Sequence, residues 1–348
     1  MPVADSIWGI AAGVLPVLAF LGALAALDTF KLVRIGRIAT ALACGGAAAL
    51  IALAINSLFF DNLEASFDTN YAQFGAPWVE ELLKAAWVVY LVRSEKVGFM
   101  VDSAICGFAT GAGFALIENL SYWEQWGGDG LTVWLLRGFG TAVMHGGTTA
   151  IVGVVAVELQ RRGTVRAFVP GVLLAVAIHT GWDVALLSPL QASLVVVLGL
   201  PPLFILMFVR SEKSLQDWIG SKLAKDIDVM EMIETGHFLE TPSGQYLKSL
   251  NAFQPQVLGD MLCILQLTSE LSAESKGNMI RRMAGLPVED DPELPGKLKE
   301  LEYLERSIGL AGRSALGPLL SLSPRDRWEL KRLSETKQEW EPVPPPQS

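Results

Sequence analysis

Glu80, Glu81 and Lys84 interrupt an apolar stretch, FGAPWVEELLKAAWVVYLV, at residues 74–92. Later apolar runs carry Glu118, Arg137, His145, His179 and Asp183. A charge at the centre of a bilayer costs from ~3 to ~10 kcal/mol or more, so ionisable groups kept there are functional candidates by default. Carboxylates beside histidines can activate water in two ways. Two histidines and a carboxylate can hold a divalent ion such as zinc, which makes hydroxide near neutral pH, with a remaining glutamate as general base. A glutamate can also activate water directly, with histidine assisting. Spacing leaves both open, and both are hydrolysis. The HExxH signature of common zinc proteases is missing.

Helical spacing brings these groups onto shared faces. Glu80 and Lys84 are i,i+4 and can neutralise each other, and His179 and Asp183 have the same spacing. Arg137 and His145 are separated by a little over two turns. Asn119, beside Glu118, adds a neutral donor suited to a developing oxyanion. Asp102 reads as interfacial at the start of its run.

The elements that must position this set read as membrane helices. Of 348 residues, 51% are apolar, and the excess lies in the first 210. A helix needs ~20 apolar residues to cross a bilayer, and seven stretches qualify, at about 7–27, 38–60, 74–92, 97–122, 131–157, 167–187 and 190–209. The loops alternate. Lys31, Arg34 and Arg37 follow the first stretch, Arg93 and Lys96 the third, Arg161, Arg162 and Arg166 the fifth, and Arg210 and Lys213 the seventh. The intervening loops hold no basic residue. The positive-inside rule then puts the N-terminus outside and the charged residues 211–348 in the cytoplasm. With a rise of 1.5 Å per residue, Glu80 and Glu81 lie roughly 10 Å below the outer surface, His179 roughly 12 Å and Asp183 roughly 6 Å. Glu118 stands in the last turns of its helix and His145 near mid-membrane. Groups from four helices thus share the outer half.

The expected architecture is all-α: a polytopic bundle of about seven spans at 1–210, a mainly helical cytoplasmic domain at 211–340, and a disordered tail at 341–348. Within the second domain, 255–285, 298–310 and 324–333 read as helices. Trp78, Trp123, Trp126, Trp134 and Trp182 fit an interfacial belt. Small residues including Gly45 and Gly111 permit close helix packing. His237 reads as a surface histidine, and Cys44, Cys106 and Cys263 share no ligand or disulfide spacing. A net charge of −9, with no basic stripe, argues against nucleic acid as a partner.

Four motifs stand in order, each on its own stretch. Glu80-Glu81-Leu82-Leu83-Lys84 fits EExxK, Phe114 to Asn119 fits FxxxEN, His145 lies in MHGGTTA, and His179 to Asp183 fits HxxxD. Together they resemble the PrsW family of intramembrane proteases, related to the CAAX-type membrane protease clan. The resemblance implies an endopeptidase that cuts membrane-anchored proteins near the extracytoplasmic face, as in site-1 cleavage of an anti-sigma factor. It makes Glu80 and Glu81 the acid/base pair. It makes Glu118, His145 and His179 metal ligands or water-positioning groups, with Asp183 orienting His179. Zinc is the implied metal for the metallopeptidase form; related CAAX-type enzymes look like glutamate hydrolases. The expected partners are a membrane-anchored substrate, the lipid bilayer and a cytoplasmic partner for residues 211–340.

Two other classes compete. Buried Glu, His, Asp and Arg also build proton relays, so a proton- or ion-coupled transporter is the alternative, although no internal repeat is visible. A non-catalytic scaffold would make the same charges structural.

Overall fold

Long apolar runs in which every backbone group must be satisfied internally have one simple solution, the helix. The computed structural model describes residues 3–28, 32–60, 69–126, 130–160, 165–287, 291–320, 325–326 and 328, and every regular element among them is helical. Two compact units divide the chain, residues 1–212 and 213–348, with the boundary inside one helix.

The first unit holds α1 (Val3–Ala26), α2 (Ile35–Phe60), a π turn (Tyr71–Gly75) leading into α3 (Ala76–Arg93), and α4 (Met100–Trp126). It continues with α5 (Leu131–Leu136), a second π turn (Arg137–Ala142), α6 (Val143–Gln160), α7 (Val169–Asp183) and the first half of α8 (Pro189–Glu234). Proline stands in the first turn of α7, where its missing N–H costs no helical bond, and Pro77 follows directly on the first π turn.

Helix α4 is the axis of this unit. It is almost wholly buried, with α2 on one side and α6 on another. Glycine makes both approaches possible. A Cβ at Gly111 would fall 2.0 Å from the His145 carbonyl oxygen of α6, and one at Gly45 would fall 1.8 Å from the Thr110 carbonyl oxygen of α4. Phe20 of α1 stacks on Phe108 of α4 at 5.1 Å, and Phe204 of α8 meets both rings edge-on. At its start, α4 is closed by Asp102, which accepts N–H bonds from Gly98, Phe99 and Ser103. Asp102 is therefore buried, with three amides in place of water.

Among the described residues, five helical runs are long and apolar enough to cross a membrane: Trp8–Ala26, Ile35–Phe59, Met100–Trp123, Leu131–Leu159 and Pro189–Glu234. Seven were expected. Helix α3 falls short because Glu80, Glu81, Lys84 and Arg93 lie among its 18 residues, and α7 because it has 15 residues, about 22 Å of rise. The tryptophans also divide. Trp78 is exposed, but Trp134 is buried against Trp123. Trp182 lines a cavity, and the Trp126 side chain lies outside the described residues.

The second unit packs α9 (Pro242–Ser249), α10 (Pro255–Met283), α11 (Leu294–Ser307) and α12 (Gly309–Leu320) around Met261, Ile264, Leu265, Leu271, Leu304 and Leu316. The helix expected through Leu310 instead stops at Ser307, because Gly309 adopts a φ of 64° and turns the chain. Buried Lys276 donates to Asp226 and Ser272 and lies over the Trp218 ring. His237 is exposed, as its sequence context indicates. The segment 341–348, read as disordered, and most of 324–333 lie outside the described residues.

Candidate active site

The ionisable residues singled out in the membrane stretches, Asp102 apart, converge on one place in the first unit. A cavity of about 760 Å³ is lined by Glu80, Glu118, Arg137, His145, His179 and Asp183, with Phe114, Tyr122 and Trp182 among their neighbours. Helices α3, α4, α6 and α7 and the second π turn supply these groups.

The two adjacent glutamates differ in role. Successive helical residues diverge by about 100°, so Glu80 and Glu81 point to different surroundings. Glu81 and Lys84 are fully buried behind the cavity wall, and Lys84 pairs with Glu81 rather than with Glu80. The i,i+3 partner wins over the expected i,i+4 partner because Glu80 turns into the cavity. Lys84 Nζ also donates to His145 Nδ1 at 2.9 Å and lies 4.7 Å from the centre of the Phe114 ring.

Each histidine is fixed by a carboxylate. An ionised carboxylate only accepts, so the ring nitrogen facing it carries the proton. His179 Nδ1–H donates to Glu81 Oε1 at 2.9 Å, and Thr148 Oγ donates to the same oxygen at 3.4 Å. His145 Nε2–H donates to Glu118 Oε2 at 3.2 Å. The two rings meet edge to face at 4.8 Å. Across the second π turn from His145, Arg137 Nη2 donates to the same Glu118 oxygen at 3.3 Å, and its guanidinium lies 3.8 Å above the Tyr122 ring.

Asn119 differs from its expected part. Its Oδ1 accepts from Arg137 Nε and its Nδ2 donates to the Gly13 carbonyl of α1, both at 2.9 Å, and it does not line the cavity. Its amide holds Arg137 in place instead of facing a reacting oxygen. Asp183 Oδ2 lies 3.5 Å from His179 Nε2, one turn along the helix.

Two contributors were not singled out in the sequence, Asn56 of α2 and Tyr71 of the first π turn. Tyr71 OH donates to Asn56 Oδ1 at 2.8 Å, and Asn56 Nδ2 donates to Glu80 Oε1 at 3.3 Å. The available signal was an asparagine within the apolar run ALAINSLFF.

One set of acceptors faces inward without a donor. His179 has its proton on Nδ1, which leaves a lone pair on Nε2, 3.8 Å from Glu80 Oε2. That glutamate oxygen is buried and has no hydrogen-bond partner among the described residues. Ligand atoms of Glu80, His145 and His179 all come within 4.8 Å of one another. This group has Glu80 where the sequence reading placed Glu118, which is turned toward Arg137 and His145.

Residues 34–209, which hold all of these groups, match the family model described as PrsW family intramembrane metalloprotease. The chain belongs to this family. No curated protein and no solved structure matches it. Membership makes the chain an integral membrane protease acting on a membrane-protein substrate, which sets aside the transporter and the scaffold. The matched segment runs from the start of α2 into α8, so α1 lies before it although Gly13 of α1 buttresses Asn119.

Proposed function

We propose that this protein is an endopeptidase that hydrolyses membrane-anchored proteins near the extracytoplasmic face, in the manner of site-1 cleavage of a regulator such as an anti-sigma factor. In this reading α3 and α7 also lie within the membrane, giving seven spans, because their charged groups turn into the bundle. The N-terminus is outside, and residues 211–340 form a cytoplasmic domain open to a partner. The single observation that carries the reading is the polar cavity. It gathers three carboxylates, two imidazoles and a guanidinium inside a unit built of apolar helices.

The donors fit a metal. Glu80 Oε2 and His179 Nε2 are acceptors that face each other with no donor between them, and a cation resolves that conflict. Glu80 and His179 would hold the ion, joined by His145 once its Nε2 proton has passed to Glu118, with zinc the first candidate for a nitrogen-and-oxygen set of this kind. Bound there, it supplies Lewis acidity, lowering the pKa of water to about 7 and polarising a peptide carbonyl. Glu81 keeps the His179 proton on Nδ1 and the Nε2 lone pair directed at the cavity, the usual second-layer task of a carboxylate. Glu118, beside Arg137, is placed to take a proton from water and return it to the leaving amine.

A second reading rests on Lys84. Its ammonium donates to His145 Nδ1, which sets the ring proton on Nε2, toward Glu118. That tautomer suits a glutamate-type enzyme in which Glu80 activates water and a doubly protonated His179 donates to it.

Metal content of detergent-purified protein separates the two, measured for wild type, His145→Ala and His179→Ala beside cleavage of a membrane-anchored test substrate. About one zinc per chain, lost in both variants, supports the metal form. Cleavage without bound metal supports the glutamate form. The absence of both metal and cleavage overturns the proposal.

A further inference from the structure

We infer that Asn56 and Tyr71 are positioning residues that fix Glu80 so that Oε1 is held and Oε2 is the working oxygen. The inference rests on the reading of Glu80 as a working group and is common to the metal and glutamate forms.

The geometry runs in one direction. Tyr71 OH donates to Asn56 Oδ1 at 2.8 Å, which leaves the Asn56 amide only one orientation, Nδ2 toward Glu80. Nδ2 then donates to Glu80 Oε1 at 3.3 Å. With Oε1 held, Oε2 is the buried oxygen without a partner, 3.8 Å from His179 Nε2. Tyr71 is itself anchored. Its ring stacks on Phe59 at 4.9 Å and lies over Gly75, where a Cβ would come within 2.4 Å of it. The three residues come from α2, the first π turn and α3, so the chain of bonds ties the start of the glutamate helix to its neighbour. Asn56 is buried yet lines the cavity, which places the relay beside the reacting atoms. A carboxylate free to rotate would present either oxygen. Displacements of about 1 Å from a productive geometry cost about 100-fold in rate.

The test is a cycle of variants in the full-length purified protein: Asn56→Ala, Tyr71→Phe and the double variant, with Glu80→Gln as reference. Asn56→Ala is expected to lower kcat about 10- to 100-fold, the usual effect of removing a second-layer partner, with KM within about twofold. Tyr71→Phe, which keeps the ring on Phe59 and Gly75, is expected to lower kcat about three- to tenfold. The double variant is expected to fall close to Asn56→Ala alone, because the hydrogen bond from Tyr71 reaches Glu80 through Asn56. Where wild type holds zinc, Asn56→Ala also loosens it about 10- to 100-fold in chelator competition. A wild-type kcat or zinc affinity in Asn56→Ala, or a double variant that loses the product of the two single effects, overturns the relay. If Glu80→Gln cleaves like wild type, the reading of Glu80 fails first and the relay with it.

Discussion

Lys84 Nζ lies 2.9 Å from His145 Nδ1, joining α3 to α6 where both side chains are fully buried. The ammonium is tolerated there because Glu81 is its ion-pair partner. Breaking a buried pair from one side leaves an uncompensated charge, worth about 3–5 kcal/mol, whereas replacing both partners with apolar groups is often neutral. Lys84→Met should therefore unfold at markedly lower temperature in detergent. The double variant Lys84→Met/Glu81→Leu should recover most of that stability while cleavage stays at least about 100-fold down, since His179 has lost its orienting carboxylate. Equal instability in the single and double variants would show that the pair is not what holds this region.

Gly111 sets how closely α4 approaches the backbone of His145. A methyl group 2.0 Å from the His145 carbonyl oxygen cannot be absorbed by a side-chain shift. Gly111→Ala is expected to cost about 1–3 kcal/mol or more and to lower kcat by displacing the imidazole. Gly22→Ala, which meets nothing within 4 Å, is the control and should change neither. Matching thermal melts for the two variants would refute the account.

In the second unit Lys297 gathers Glu270, Glu274 and Asp291, at 2.8, 3.7 and 3.0 Å. The Glu293 backbone N–H and the Lys297 ammonium hold the Asp291 carboxyl below its ordinary range. Burial and the Asp291 charge push Glu274 above its own. A depressed carboxylate supports the fold above its unfolded pKa of about 3.9 and ceases to as pH falls through the folded value; Glu274 has the opposite sign. Lys297→Ala should therefore quicken amide exchange in Leu294–Ser307 at about pH 7, with the difference from wild type closing towards about pH 3. A difference constant over that range would rule out the carboxylates as its cause.

The orientation is open to labelling. In a protein freed of Cys44, Cys106 and Cys263, a cysteine at Asn62 should react with an impermeant thiol reagent on intact cells. One at Ser94 should react only after permeabilisation. Labelling of both from the same side would remove α3 as a membrane-crossing helix.

Residues that interrupt apolar runs with charge were legible in the sequence, because burying them in lipid demands a reason. Their convergence followed from loop charge and helical spacing, and the cavity gathers Glu80, Glu118, His145, His179 and Asp183. What stayed hidden was finer than spacing. Glu81 and Glu80 read alike, yet only the fold decides which one faces Lys84. Asn56 and Tyr71 sit near the end of α2 and before α3, where polar residues are ordinary at a membrane surface. Asn119 carries the right chemistry for an oxyanion donor, but Arg137 and Gly13 hold it elsewhere. Helix α3 falls short as an apolar span for the same reason that the site exists. The charges of α3 that break its apolar run are the groups that line and support the cavity.

The two π turns have a further consequence. Each stands a few residues before a working group, Tyr71–Gly75 before Glu80 and Arg137–Ala142 before His145. A π turn accommodates about one residue more than an α turn, so it advances the phase of everything downstream by about 100°. Deleting a single residue from Arg137–Ala142 would leave a plain helix of nearly unchanged length and hydropathy, with each motif residue still present. His145 would then face away from both Lys84 and Glu118. A chain altered in this way would keep its family signature and lose its catalyst, so insertions and deletions in these two short segments are more informative than substitutions when relatives of doubtful activity are compared.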